Sequence, residues 1–169
     1  MIFVTVGTHE QPFNRLIEYI DRLKEKGILQ EEVVIQTGYS TYEPEFCQWK
    51  SLFPYQEMVR YVKDARIVIT HGGPSSFIMP LQMRKIPIVV PRQKQYNEHV
   101  NDHQLEFAKA VAQRQKNIIV IERINELKKA ILNYDSVVKE MAVNVQSNNS
   151  KFMEGFNKIV ETMMEAEKK

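Results

Sequence analysis

Short β-branched apolar runs recur along this chain, each separated from the next by a stretch of helical period, and that alternation excludes most folds. Ile2–Val6, Val33–Gln36, Ile67–Thr70, Ile86–Val90 and Ile118–Ile121 read as strands, and the β-branched run Ile67–Thr70 as one buried on both faces. A further short strand is expected near Phe46–Trp49. Pro12 opens an amphipathic helix with Phe13, Leu16, Ile17, Ile20 and Leu23 on one side and Gly27 as its stop. Gln56–Lys63, residues 75–84, Val100–Arg114 and Asn125–Leu132 read as the other helices. This order implies βαβ units with right-handed crossovers. The predicted class is α/β: a Rossmann-like, mostly parallel sheet with helices on both faces, followed by C-terminal helices. Ligands of such sheets sit at the carboxyl ends of the strands. The loops 7–11, 71–76 and 91–99 all follow strands and so share that edge.

The chemistry concentrates after the third of these strands. Thr70 runs into His71-Gly72-Gly73, and Pro74, Ser75 and Ser76 open the next helix. Proline suits the first helical position, where its missing N–H has no partner to lose. Glycines before a helix let the backbone approach a ligand, and the free N–H groups and dipole favour an anion. The loop is suited to a diphosphate, with Arg92 and Lys94 beyond the Val90-Pro91 strand end as further cations. A plainer reading keeps Gly72-Gly73 as a tight turn and His71 as a strand-end group bonded to backbone.

Other chemistries fit poorly. The first βα turn, Gly7-Thr8-His9-Glu10-Gln11-Pro12, lacks the dinucleotide fingerprint, and no glycine precedes Lys-Ser/Thr as a P-loop requires. His99 and His103 stand at i, i+4 on the expected helix, but Val100 follows His99, so the zinc-protease signature fails; no third ligand is evident and no metal is expected. No Asp-x-Asp offers a metal-held diphosphate. A net charge of +2 without a Lys/Arg block is no nucleic-acid signature. The single Cys47 excludes an internal disulfide, fits a reducing compartment and reads as a small buried hydrophobe. No apolar run approaches the ~20 residues of a membrane span, and no basic leader precedes the strand at Ile2.

Gly7-Thr8, Gln36-Thr37-Gly38, Thr70–Ser76, Pro87 to Pro91, and Glu98-His99 with Asp102-His103-Gln104-Leu105-Glu106, in that order, resemble the family 28 glycosyltransferase C-terminal domain. That domain is the donor-binding half of the two-domain GT-B fold, and the resemblance covers roughly residues 1–134. The look-alikes include small split-enzyme subunits. One belongs to the eukaryotic transferase that adds the second N-acetylglucosamine to dolichol diphosphate; others belong to bacterial capsule and exopolysaccharide transferases. The resemblance implies a cytoplasmic, inverting transferase subunit that takes a hexose from a UDP-sugar. A membrane-anchored acceptor-binding subunit would recruit it to the inner face of the membrane and present a polyprenyl-diphosphate-linked sugar acceptor. No cofactor is implied. The alternative is a non-catalytic nucleotide-sugar-binding or enhancer subunit.

Carried over position by position, the resemblance implies that Gly7 and Thr8 lie near diphosphate and sugar, and that His71, Gly72, Gly73, Ser75 and Ser76 hold the donor phosphates; Arg92 or Lys94 could meet the remaining charge. Asp102, His103 and Gln104 match the pair that reads sugar hydroxyls, with His99 beside them. Met79 stands where the family commonly has an acid that grips the ribose. An inverting enzyme needs a general base for the acceptor hydroxyl; His9 and Glu10 lie at the correct edge and are the local candidates. His99 and His103 have an equally simple reading as solvated helix residues, Trp49 as packing, and Met79 and Met83 as helix packing.

The expected division is a nucleotide-sugar-binding domain over 1–134 and a helical extension over 135–169. In the extension Phe152, Phe156, Ile159, Val160 and Met163 form one apolar stripe. A helix over 150–165 either packs on its own domain or docks on the partner subunit.

Overall fold

The computed structural model describes residues 1–142. Six parallel strands, β1 (Ile2–Thr5), β2 (Val33–Gln36), β3 (Gln48–Lys50), β4 (Ile67–His71), β5 (Ile88–Val90) and β6 (Ile119–Val120), form one sheet in the order β3-β2-β1-β4-β5-β6. The helices are α1 (Asn14–Glu25), α2 (Tyr55–Asp64), α3 (Pro74–Gln82), α4 (His103–Gln115), α5 (Leu127–Leu132) and α6 (Tyr134–Ala142). Among the described residues no helix is long and apolar enough to cross a membrane.

Strand alternation divides the core. Ile2, Val4, Ile67, Ile69, Ile88 and Val90 face α1 and α5, where they bury Leu16, Ile17, Ile20, Leu127 and Ile131. The intervening Phe3, Val34 and Val68 face the opposite side and meet Val62 of α2 and the partly buried Met79 of α3. Val89 packs there on Phe77 and Ala108 of α3 and α4. Both faces are thus covered, which is why the strands read as unbroken apolar runs.

Some expected boundaries shift. The helix expected from Val100 starts at His103, because local side-chain bonds compete with the helical ladder just before it. The Asn101 Oδ1 accepts from the His103 N–H at 3.2 Å, and Asp102 Oδ1 accepts from the Lys94 N–H at 2.8 Å. His99 therefore lies in the loop, and the i, i+4 histidine pair on one helix face does not form. Pro12 precedes α1 rather than opening it, and Phe13 takes the N-cap position. The expected boundary after residue 134 falls on α6, whose Tyr134 is buried and donates to the Ile86 carbonyl at 2.7 Å. The helix expected over 150–165 lies outside the described residues.

Candidate functional site

Strand order reverses between β1 and β4, and crevices at such a point hold ligands outside the carboxyl ends of the strands. The loops after both strands border a cavity of about 530 Å³ there. Its floor follows from register. Thr5 pairs with Gln36 on one side and Thr70 on the other, so polar residues end the face that is apolar one step earlier at Phe3, Val34 and Val68. Gln36 Nε2 donates to Thr5 Oγ1 at 3.2 Å, and the same oxygen accepts from the Gly7 N–H at 3.2 Å. Thr5 and Gln36 line the cavity. Met58, Val62 and Met79 make its apolar end; Gly7, Thr8, Ser75 and Ser76 make its polar end.

His71 organises the polar end. Its imidazole lies between two glycine backbones: a Cβ on Gly7 would be 2.3 Å from the ring Cε1, and one on Gly73 would be 2.4 Å from Nε2. Gly7 also has φ +75°, which side chains other than hydrogen adopt at a cost. Ser76 Oγ lies 3.4 Å from His71 Nε2, and Nδ1 has no well-formed hydrogen bond. Burial, then the Arg92 charge, push the imidazole down to about 4, with the nearby Thr5 backbone only partly offsetting them. His71 is neutral at pH 7. The glycines expected to admit a phosphate thus also admit this ring, while Gly72 admits α4: a Cβ there would be 2.9 Å from that of Gln104.

Helix α3 begins at this loop with Gly73 at its N-cap, no side chain capping it, and Pro74 in its first turn. Ser75 is exposed and Ser76 half-buried at the cavity wall. An uncapped helix start with two hydroxyls beside it is an anion-accepting arrangement.

His9 lies on the exposed loop after β1, also at the cavity wall. Its ring centroid is 5.1 Å from that of His99. Burial, Arg92 and His99 lower its pKa, with Glu10 opposing them, so the ring is neutral near pH 7. The Gln11 N–H donates to His9 Nδ1 at 3.2 Å, which leaves the ring hydrogen on Nε2. To accept a proton at Nε2 the ring must change tautomer and release that exposed contact. Glu10 is exposed in the same loop.

The remaining expected residues divide. Arg92 does not reach out to a ligand: it is fully buried and bonded to backbone carbonyls, Gln11 at 2.7 Å, Val6 at 3.1 Å, Pro12 at 3.2 Å and Glu98 at 3.4 Å. Gln104 Oε1 accepts from the Arg92 N–H at 3.3 Å. Asp102 is occupied by Lys94 as above, and exposed His103 lies 3.6 Å from Glu106. Of these four, none lines the cavity; His99 approaches it through His9.

Sequence reasoning missed the Arg15–Glu98 pair. Glu98 accepts from Arg15 Nε at 2.7 Å, from Nη2 at 2.8 Å and from the Gln93 N–H at 3.1 Å, and so fixes the loop 91–102 to α1. The signal was only a Glu beside His99, and its partner is distant in sequence.

No curated protein sequence matches the chain significantly. Among solved structures, the fold is similar to the glycosyltransferase SnogD from Streptomyces nogalater, with a TM-score of 0.57 at 16% identity over 95% of this chain. The chain spans 43% of the length of that protein; the six-stranded parallel sheet corresponds to the C-terminal half of a GT-B glycosyltransferase. The model of the glycosyltransferase family 28 C-terminal domain matches residues 1–163. Parallel sheet, switch-point cavity and family match agree, and the chain belongs to the glycosyltransferase family 28 C-terminal domain, the donor-binding part of these enzymes.

Proposed function

We propose that this chain is the catalytic, donor-binding subunit of a two-component inverting glycosyltransferase that moves a hexose from a UDP-sugar to a polyprenyl-diphosphate-linked acceptor in capsule or exopolysaccharide synthesis. The observation that carries the donor half of this reading is the cavity at the strand-order reversal, with the uncapped start of α3, Ser75 and Ser76 at one end and Met58, Val62 and Met79 at the other. The diphosphate sits at the polar end and the nucleoside on the apolar end. In the transfer, the acceptor oxygen bonds to the anomeric carbon as the bond from that carbon to the phosphate oxygen breaks. The hydroxyl proton goes to a base, and the UDP leaves with the bonding electrons. Preorganised donors at the α3 start offset that developing negative charge. His9, neutral and at the cavity wall, supports the role of base once Nε2 is free; Glu10 is the second local candidate.

The cavity supplies a donor site, and the acceptor is presented by a facing body. We assign that role to a membrane-anchored subunit, the chain working as part of a cytoplasmic heteromer at the membrane. Met79 favours the second reading, a non-catalytic nucleotide-sugar-binding subunit, since it puts a thioether where relatives commonly offer ribose an acid.

Calorimetric titration with UDP and a panel of UDP-sugars, with NAD and ATP as controls, tests the donor assignment. Selective binding of UDP and one UDP-sugar supports it and names the sugar. Equal binding of NAD or ATP overturns it. With the partner reconstituted, loss of transfer in His9→Ala while UDP-sugar binding persists separates the catalytic from the non-catalytic reading.

A further inference from the structure

Arg92 is a fully buried cation whose guanidinium, among the described residues, bonds to backbone carbonyls and to no carboxylate. Its acceptors come from three segments: Val6 at the end of β1, Gln11 and Pro12 at the end of the His9 loop, and Glu98 in the loop 91–102. Its guanidinium carbon lies 4.8 Å from the centre of the Phe13 ring, which closes one face, and Nε has no partner. The nearest acid, Glu98, directs its carboxylate to Arg15 and the Gln93 N–H. A surface arginine would be indifferent to such a place. Here burial costs the ion its hydration, and carbonyl dipoles replace only part of it.

We propose that Arg92 is a positioning residue of the transfer site, one guanidinium that ties the His9 loop to the loop carrying His99 and presents a positive charge to His9. This rests on the reading of His9 as the local base. Backbone carbonyls carry no net charge, so the cation's field reaches across the loop to the His9 imidazole. The groups facing His9 are Arg92, His99, Glu10 and His71, with only Glu10 acidic. A neighbouring cation disfavours a second positive charge, so Arg92 holds His9 in the neutral form that proton acceptance requires. The same charge acts on His71. The ladder of bonds meanwhile sets the distance between the His9 and His99 rings.

The test is a histidine ring titration by NMR on the full chain, which needs no sugar and so fails or succeeds independently of the donor assignment. Arg92→Met is expected to shift the His9 and His71 midpoints upward. Arg92→Lys keeps the charge with fewer donors, and Glu98→Gln loosens the loop while leaving the cation. In both, the His9 midpoint is expected to stay as in the natural chain, while weakened cross-peaks between the His9 and His99 rings report the loosened loops. A His9 midpoint unchanged in folded Arg92→Met overturns the proposal. So does an upward shift in Arg92→Lys or Glu98→Gln equal to that in Arg92→Met, since loosening alone would then explain it. If Arg92→Met does not fold, Arg92→Gln, which keeps hydrogen-bond donors without the charge, takes its place: an upward His9 shift supports the proposal and an unchanged midpoint overturns it. In the reconstituted enzyme, Arg92→Lys is expected to retain the acidic limb of the kcat profile that Arg92→Met displaces to higher pH.

Discussion

Gly7 and His71 are packed so closely that a single methyl group on the glycine would lie 2.3 Å from the imidazole Cε1. Two strand ends meet through this contact, one from each side of the strand-order reversal. Gly7→Ala meets both the ring and a backbone at φ +75°. Strain at such a φ costs about 1–3 kcal/mol and overpacking a similar amount, so a loss of about 2–6 kcal/mol is expected by urea denaturation. Adding His71→Ala removes the obstacle but not the strain, and is expected to recover roughly half of the loss. Strictly additive costs would show that the two residues do not compete for one space.

His71 also predicts an acid-side loss of stability. Its folded pKa is pushed down to about 4 from the 6.5 of a free imidazole. The neutral ring therefore contributes in full above about pH 6.5. As pH falls, the unfolded chain takes up a proton that the folded chain refuses until about 4. The span corresponds to about 3 kcal/mol. His71→Gln lacks this contribution, so the stability gap between the two chains is expected to narrow by about that much between pH 7 and pH 4. Denaturation midpoints at four or five pH values measure it; a constant gap would place the ring in water.

The sheet was legible because strands buried on both faces write themselves as short apolar runs, and β2 falls where Val33–Gln36 predicted it. The α4 boundary was not, because Asn101 and Asp102 make their choices through bonds to His103 and Lys94 that no periodicity reports. Gly7, His71 and the Ser75-Ser76 turn are expected near a ligand from their place after strands, and they line one cavity. Arg92 misled for a physical reason. A cation at a strand end suggests a phosphate, whereas its acceptors, the Val6, Gln11, Pro12 and Glu98 carbonyls, come together only in three dimensions.

Cys47 is expected to be inert. It is buried, and burial together with Asp21 pushes its thiol up to about 12. The same Asp21 carboxylate accepts from the N–H groups of Glu45, Phe46 and Cys47 at 2.9–3.0 Å and from the Tyr42 hydroxyl at 3.0 Å. Thiol labelling of the folded chain at pH 8 should therefore proceed only through opening of the 42–47 loop. Asp21→Ala orphans three backbone donors, at a cost of about 3 kcal/mol or more, and labelling should accelerate about a hundredfold or more in step. Rapid labelling of the natural chain would contradict the packing around Cys47.

Met79 offers a gain-of-affinity prediction for the donor assignment. It is half-buried, lines the apolar end of the cavity beside Met58 and Val62, and packs toward Phe3. With the diphosphate at the α3 start, the ribose comes to this end. Met79→Glu gives it a carboxylate to accept a ribose hydroxyl, and a hydrogen bond to a charged group contributes about 1.5–3 kcal/mol. Part of that is offset by desolvating the carboxylate beside apolar neighbours. A net gain of about 1 kcal/mol, roughly fivefold in UDP affinity, is expected. Inorganic diphosphate, which has no ribose, is the control and should bind no tighter, because the added negative charge only repels it. Calorimetry on both ligands checks the difference. Equal weakening of UDP and diphosphate would mean that the nucleoside lies away from Met79, and the orientation proposed for the donor would have to be reversed.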